Sequence, residues 1–316
     1  MKKKLLAIAL STIGAVGAAQ AGAVAQSSLQ ITGLALSDAG TGVVLNASQF
    51  NTLQIVDTTN LNPTLTPGGA TPFTNASIGG APLPFSQVCF PVACPPALTA
   101  PGAFGNATTP ATVNGALAQS SLDGAPIAGL PPAVGVNART NAVSERTTTG
   151  SANTSSSVSA AVQFQFKPTS DIAIRIDFTA LDHLLAFLDS QINSFAGSAW
   201  NVKITNHATG ATVFNWTPDG SLAVGGITGG TEIFDPCSLT TSVTTFGPTG
   251  NAGYDCSGRF AARTNLLLAA NTYDASITHQ NQANVLVQLV PEPSMLSLLG
   301  LALAGIGFTT RRKSKA

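Results

Sequence analysis

The chain has 316 residues, of which 44% are hydrophobic and only 9% charged, with 14 Lys and Arg balanced by 14 Asp and Glu. Seven of the cations lie at the two extremities, so residues 22–290 keep seven cations against thirteen acids, a net of −6. No basic stripe remains to release phosphate counterions, which excludes a nucleic-acid binder and disfavours adhesion to anionic lipid.

Lys2, Lys3 and Lys4 precede an apolar run from Leu5 to Ala19, and Ala19-Gln20-Ala21 fits the small-residue cleavage site of a secretory leader, with Ala23-Val24-Ala25 as a second choice. Residues 1–21 are read as a signal peptide, cut by signal peptidase. Residues 22–150 form a Pro/Gly-rich extended β and loop region. Apolar clusters at Val43, Val44 and Leu45 and at Leu53 and Ile55 predict one or two strands there. Thirteen of the nineteen prolines fall between Pro63 and Pro132, which predicts turns and short edge strands rather than long elements. The Thr-, Ser- and Asn-rich stretch 140–157 reads as a connector or an exposed hairpin tip. Whether residues 22–150 fold alone or decorate the remainder stays open.

Residues 151–290 are more regular. Val158, Ala160, Val162, Phe164 and Phe166 alternate with polar or small residues, as do Ile172, Ile174, Ile176 and Phe178 after the turn Lys167-Pro168-Thr169-Ser170. Trp200, Val202 and Ile204 predict a third strand, which Asn206-His207-Ala208-Thr209-Gly210 reverses into Val213 to Trp216. Thr217-Pro218-Asp219-Gly220 is a further turn by composition. Leu184, Leu185, Leu188 and Ile192 fall at helical spacing and predict one short helix over 182–192. Tyr273, Ala275 and Ile277, then Val285, Val287 and Leu289, predict a closing hairpin. The fold class is mainly β: an antiparallel β-sandwich or jelly-roll-like body with one short helix.

Four cysteines in an exported chain fall into two local pairs. Cys89 and Cys94 sit in Cys-Phe-Pro-Val-Ala-Cys, and Cys237 and Cys256 frame an eighteen-residue loop. Two disulfides are expected, with cross-pairing left open; neither pair has the C-x-x-C spacing or neighbouring histidine of a zinc site. No G-x-S-x-G, H-E-x-x-H, P-loop or G-x-G-x-x-G is present, so no catalytic residue, metal or cofactor is assigned. His183 beside Asp182 is the nearest approach to an acid/base pair, and Asp182 and Asp189 would share a face of the predicted helix. His207 belongs at a hairpin tip. Gly225 to Gly230 is a glycine-rich turn without the Lys-Ser/Thr of a phosphate cradle. Asp235 and Asp255 are weighed as calcium ligands but lack a D-x-D-x-D-G run and read as a solvated loop. Trp200 and Trp216 are either a sugar platform on a sheet face or core residues, with the core favoured.

Residues 291–316 close the chain. Pro291-Glu292-Pro293 forces an extended start, because proline fixes φ and lacks a donor. Met295 to Phe308 is uncharged over fourteen residues, about 21 Å as a helix, short of a roughly 30 Å hydrocarbon core. Arg311, Arg312 and Lys313, with Lys315, form a basic stop that the positive-inside rule places in the cytoplasm. This order resembles the PEP-CTERM sorting signal of Gram-negative bacteria. The resemblance implies a transmembrane sorting helix, processing by an exosortase-like membrane protease, an inner-membrane intermediate, and delivery to the cell surface or medium. It also implies a β-rich body and a link with exopolysaccharide, biofilm or floc matrix. The expected function is a non-catalytic cell-surface or extracellular-matrix protein; the alternatives are a carbohydrate-binding surface module and a secreted hydrolase, with extracellular polysaccharide the partner in the former.

Overall fold

Between Ile174 and Leu188 every second side chain is buried, and between Tyr273 and Val287 likewise, so the two-residue period of extended chain governs the body. The computed structural model describes residues 22–67, 78–80, 86–90, 114–129, 134–148, 150–189, 193–222, 225–247 and 249–287. Its strands are β1 (Ala23–Asp38), β2 (Phe50–Pro67), β3 (Ile78–Gly80), β4 (Ser86–Phe90), β5 (Gly115–Asp123), β6 (Val136–Arg146), β7 (Gly150–Pro168), β8 (Ile174–Asp189), β9 (Asn193–Asn206), β10 (Thr212–Trp216), β11 (Ile227–Thr228), β12 (Gly230–Phe234), β13 (Thr241–Phe246), β14 (Thr249–Thr264) and β15 (Tyr273–Val287). Among the described residues a single 3-10 turn, Ala47–Gln49, is capped by Asn46.

Seven strands form one antiparallel sheet in the order β12-β14-β8-β1-β6-β5-β4. The second, eight-stranded sheet runs β11-β10-β9-β15-β7-β2-β3, with β13 beside β9. The sheets share one core, so the body is a sandwich. Strands from both sides of residue 150 lie in both sheets: β1 sits between β8 and β6, and β2 pairs with β7. The first half therefore supplies central strands rather than decoration.

Several expectations are corrected. Residues 182–189 belong to β8, not to a helix, and Ile192 lies outside the described residues. Leu184, Ala186 and Leu188 face the core while Leu185 and Phe187 are half-buried on the other face. Apolar residues on both faces of the strand mimic helical spacing. The expected closing hairpin is one continuous strand, β15, because His279 and Asn281 point inward and find partners there; Leu289 is outside the described residues. The hydroxyl-rich stretch 140–157 is not an exposed tip: it supplies most of β6 and the first half of β7. The prolines also permit a long strand. Pro63 and Pro67 lie in β2 beyond its three residues paired with β3, where one edge of β2 has no partner among the described strands. The reversal at Asn206–Gly210 forms as expected, with the Gly210 amide donating to the Asn206 carbonyl and Gly210 at φ 68°.

The space between the sheets changes character along the strands. At one end Phe178 packs on Trp200 (4.5 Å between ring centroids) and Phe260 (5.3 Å), and Trp200 meets Trp216 edge-on at 5.3 Å. At the other end hydroxyls cross between the sheets. Ser27 Oγ donates to the Gly197 carbonyl (2.7 Å), Ser194 Oγ to Val24 (2.6 Å), Ser144 Oγ to Ala283 (2.8 Å) and Ser156 Oγ to Gln119 (2.6 Å). A serine hydroxyl reaches an opposing carbonyl only where sheets lie closer than the ~10 Å usual for face-to-face packing. Ala23, Ala25, Ala142, Ala152 and Ala283 in the same end permit that approach.

Candidate functional site

Trp200 and Trp216 are 1% and 0% exposed, so neither offers a face to a sugar; they are core residues of β9 and β10. Cys237 and Cys256 are bonded, with Cα atoms 5.9 Å apart, and tie the segment after β12 to β14. Cys89 lies in β4, whereas Cys94 and the tail residues Pro291, Glu292, Pro293, Arg311, Arg312 and Lys313 lie outside the described residues.

The acid/base pairing of Asp182 with His183 dissolves because neighbours on a strand face opposite ways. Asp182 is fully buried and accepts from Ser198 Oγ at 2.5 Å; His183 points outward to Asp255, 2.6 Å away. Asp189, seven residues on, is on the opposite face from Asp182 for the same reason. Burial pushes the Asp182 carboxyl up to about 7, against the Ser198 hydrogen bond, which favours the charged form. His279, assigned no role from sequence, is buried with Nε2 beside the Leu29 carbonyl (3.0 Å) and Thr140 Oγ1 (2.8 Å). Burial holds it down at about 4. His207 sits exposed after β9, paired with Asp274 at 2.8 Å. A cleft of about 350 Å³ beside this buried layer is lined by Phe195, Ser198, Thr240, Ser242, Gln280 and Gln282 among others, with no titratable group among its described lining residues.

One cluster of charge is only half legible in the sequence. Asp219 follows the Thr217-Pro218 turn after β10, Glu232 lies in β12, and Asp235 is the first residue beyond β12. One carboxylate oxygen from each lies within 4.8 Å of the others. Backbone amides fix two of the three. Asp219 Oδ1 accepts from Ser221 N and Oδ2 from Gly226 N, both at 2.9 Å; Asp235 Oδ2 accepts from Asp219 N (2.9 Å) and Gly220 N (3.0 Å). Trp216 Nε1 donates to Glu232 Oε1 at 2.8 Å. The glycine-rich segment packs tightly here: a Cβ on Gly226 would stand 2.2 Å from the Thr217 carbonyl oxygen. Burial first, then the neighbouring Asp235 charge, raises Glu232; burial foremost raises Asp235, which its amide donors oppose. Asp255 is not in this cluster, so the pairing weighed for Asp235 is replaced by Asp219 and Glu232. The sequence signal is only Glu232-x-x-Asp235 next to Pro236-Cys237, with Asp219 supplied by the turn after β10 in the other sheet.

Residues 289–313 match the PEP-CTERM protein-sorting motif. No curated protein matches the chain. Among solved structures, that of the infectious bursal disease virus Gt strain aligns over 90% of this chain and 88% of its own at 13% identity. Its TM-score is 0.11, which carries no argument about fold or function.

Proposed function

We infer that this PEP-CTERM domain-containing protein is a non-catalytic component of the cell surface or extracellular matrix, displayed as a β-sandwich once its sorting tail has been removed. The observation that carries the reading is the sorting motif at 289–313, which begins two residues after β15 ends at Val287. PEP-CTERM proteins are exported and processed by exosortase. The junction supports cutting there: the described part of the last strand runs to Val287, so loss of the tail from Pro291 onward removes no described strand. At the other terminus Ala23, Val24 and Ala25 are buried in β1, which favours leader cleavage after Ala21 over cleavage after Ala25.

A hydroxyl-rich, weakly charged exterior suits residence in a hydrated polysaccharide matrix, which is the partner proposed. The carbohydrate-module alternative no longer rests on Trp200 and Trp216; its remaining ground is the Ser-, Thr- and Gln-lined cleft beside Phe195. Intact mass of the protein from fractionated cells and medium tests the principal reading. A species beginning at Gly22 and ending near Pro291–Pro293, found outside the inner membrane, is expected. A chain that keeps Met295 to Ala316 and stays in the inner membrane overturns it, since the tail would then be a plain anchor.

A further inference from the structure

We propose that Asp219, Glu232 and Asp235 form a calcium site between the β10 turn and the end of β12. The proposal is independent of how the protein is sorted. Three carboxylates meet within 4.8 Å, and no Lys, Arg or His pairs with any of them among the described residues. Such a group is repulsive unless a cation occupies its centre. A second observation points the same way: Asp235 is 7% exposed, yet its Oδ1 has no hydrogen-bond partner while Oδ2 has two amides. A buried carboxylate oxygen left without donors costs free energy that a metal ion would recover.

The donor set selects the ion. All three ligands are oxygen, with no histidine or thiolate, which disfavours zinc and copper and suits a hard cation. Ligands drawn from a turn, a strand and a strand end do not enforce octahedral geometry, so the flexible coordination of Ca²⁺, completed by water, fits better than Mg²⁺. The scaffold is set in advance: amides orient Asp219 and Asp235, Trp216 holds Glu232, and the Cys237–Cys256 bond pins the chain two residues beyond Asp235.

The test is calorimetric titration of CaCl₂ into the exported, disulfide-intact protein after chelator treatment, followed in parallel by tryptophan fluorescence. Because Trp216 is bonded to Glu232, filling the site should change emission. One Ca²⁺ per chain is expected with Kd roughly 10⁻⁴–10⁻³ M, as in other extracellular modules, with weaker binding of Mg²⁺. Asp219→Asn and Glu232→Gln should each weaken Ca²⁺ about tenfold or more, whereas Asp255→Asn should not. Asp235→Asn should abolish binding; should it fail to fold, the exposed Asp219 variant decides. Absence of heat and of a fluorescence change at about 10 mM Ca²⁺, tenfold above the weakest expected Kd, overturns the site. So does binding that survives both Asp219→Asn and Glu232→Gln unchanged.

Discussion

At one end of the sandwich Phe178, Trp200, Trp216 and Phe260 fill the gap between the sheets with rings; at the other, Ser27, Ser144, Ser156 and Ser194 cross it with hydroxyls. Both ends exclude water, but the forces differ. Each aromatic ring removes on the order of 150–250 Å² from water, at roughly 25 cal/mol per Å². A hydroxyl–carbonyl bond contributes only about 1 kcal/mol net, since it replaces a bond to water. The aromatic end therefore supplies most of the stability. The hydroxyl end supplies register: slipping a strand by one residue would turn every serine outward and bury its neighbour instead. Low hydrophobic content in a strand is thus compatible with a central position, provided short side chains let the opposing backbone serve as partner.

Mutations can break that contrast. Phe178→Ala removes the ring that touches Trp200, Trp216 and Phe260, and should cost about 3–5 kcal/mol in urea unfolding. A loss no larger than that of a serine variant would sink the division of labour.

The next effect concerns pH in the buried polar layer. Asp182 has a folded pKa of about 7, above its ordinary 3.8, so its contribution to stability falls as pH rises between those values. His279 has a folded pKa of about 4, below 6.5, so its contribution rises with pH between about 4 and 6.5. In that window the two slopes oppose each other and nearly cancel. Asp182→Asn should unmask the histidine, giving a stability that climbs with pH by up to about 1.4 kcal/mol per unit relative to the parent protein. Urea midpoints at three pH values between about 4.5 and 6.5 measure this; a variant-minus-parent difference constant across them would refute the assignment.

The smallest effect sharpens the comparison most. Ser194→Ala should lose about 1 kcal/mol, while Ser194→Val, which adds bulk where the sheets approach closely, should lose roughly 1–3 kcal/mol. If valine is the better tolerated of the two, the close approach is not what the hydroxyls require.

Several features are legible from neighbours in the chain alone. The tail order of Pro291-Glu292-Pro293, an apolar run and Arg311-Arg312-Lys313 is local, and its match to a sorting motif follows from that. So are the alternation in Ile174–Phe178, the Asn206–Gly210 reversal, and the proximity that joins Cys237 to Cys256. The helix expected over 182–192 does not form, because a strand with apolar residues on both faces has no distinctive period. Residues 140–157 look exposed in the sequence because composition marks Ser and Thr as surface residues unless their partners are known. Those partners are distant: Ser27 bonds Gly197, 170 positions away, and His279 meets Leu29, 250 positions away. Asp219, Glu232 and Asp235 likewise converge only because the turn after β10, in one sheet, meets the end of β12, in the other. Sequence determined where the chain bends, where it alternates and how it is addressed, since those depend on adjacent residues. Which polar groups are buried, and which charges are forced together, was decided by the tertiary structure, because burial and Coulomb repulsion depend on distance in space and not along the chain.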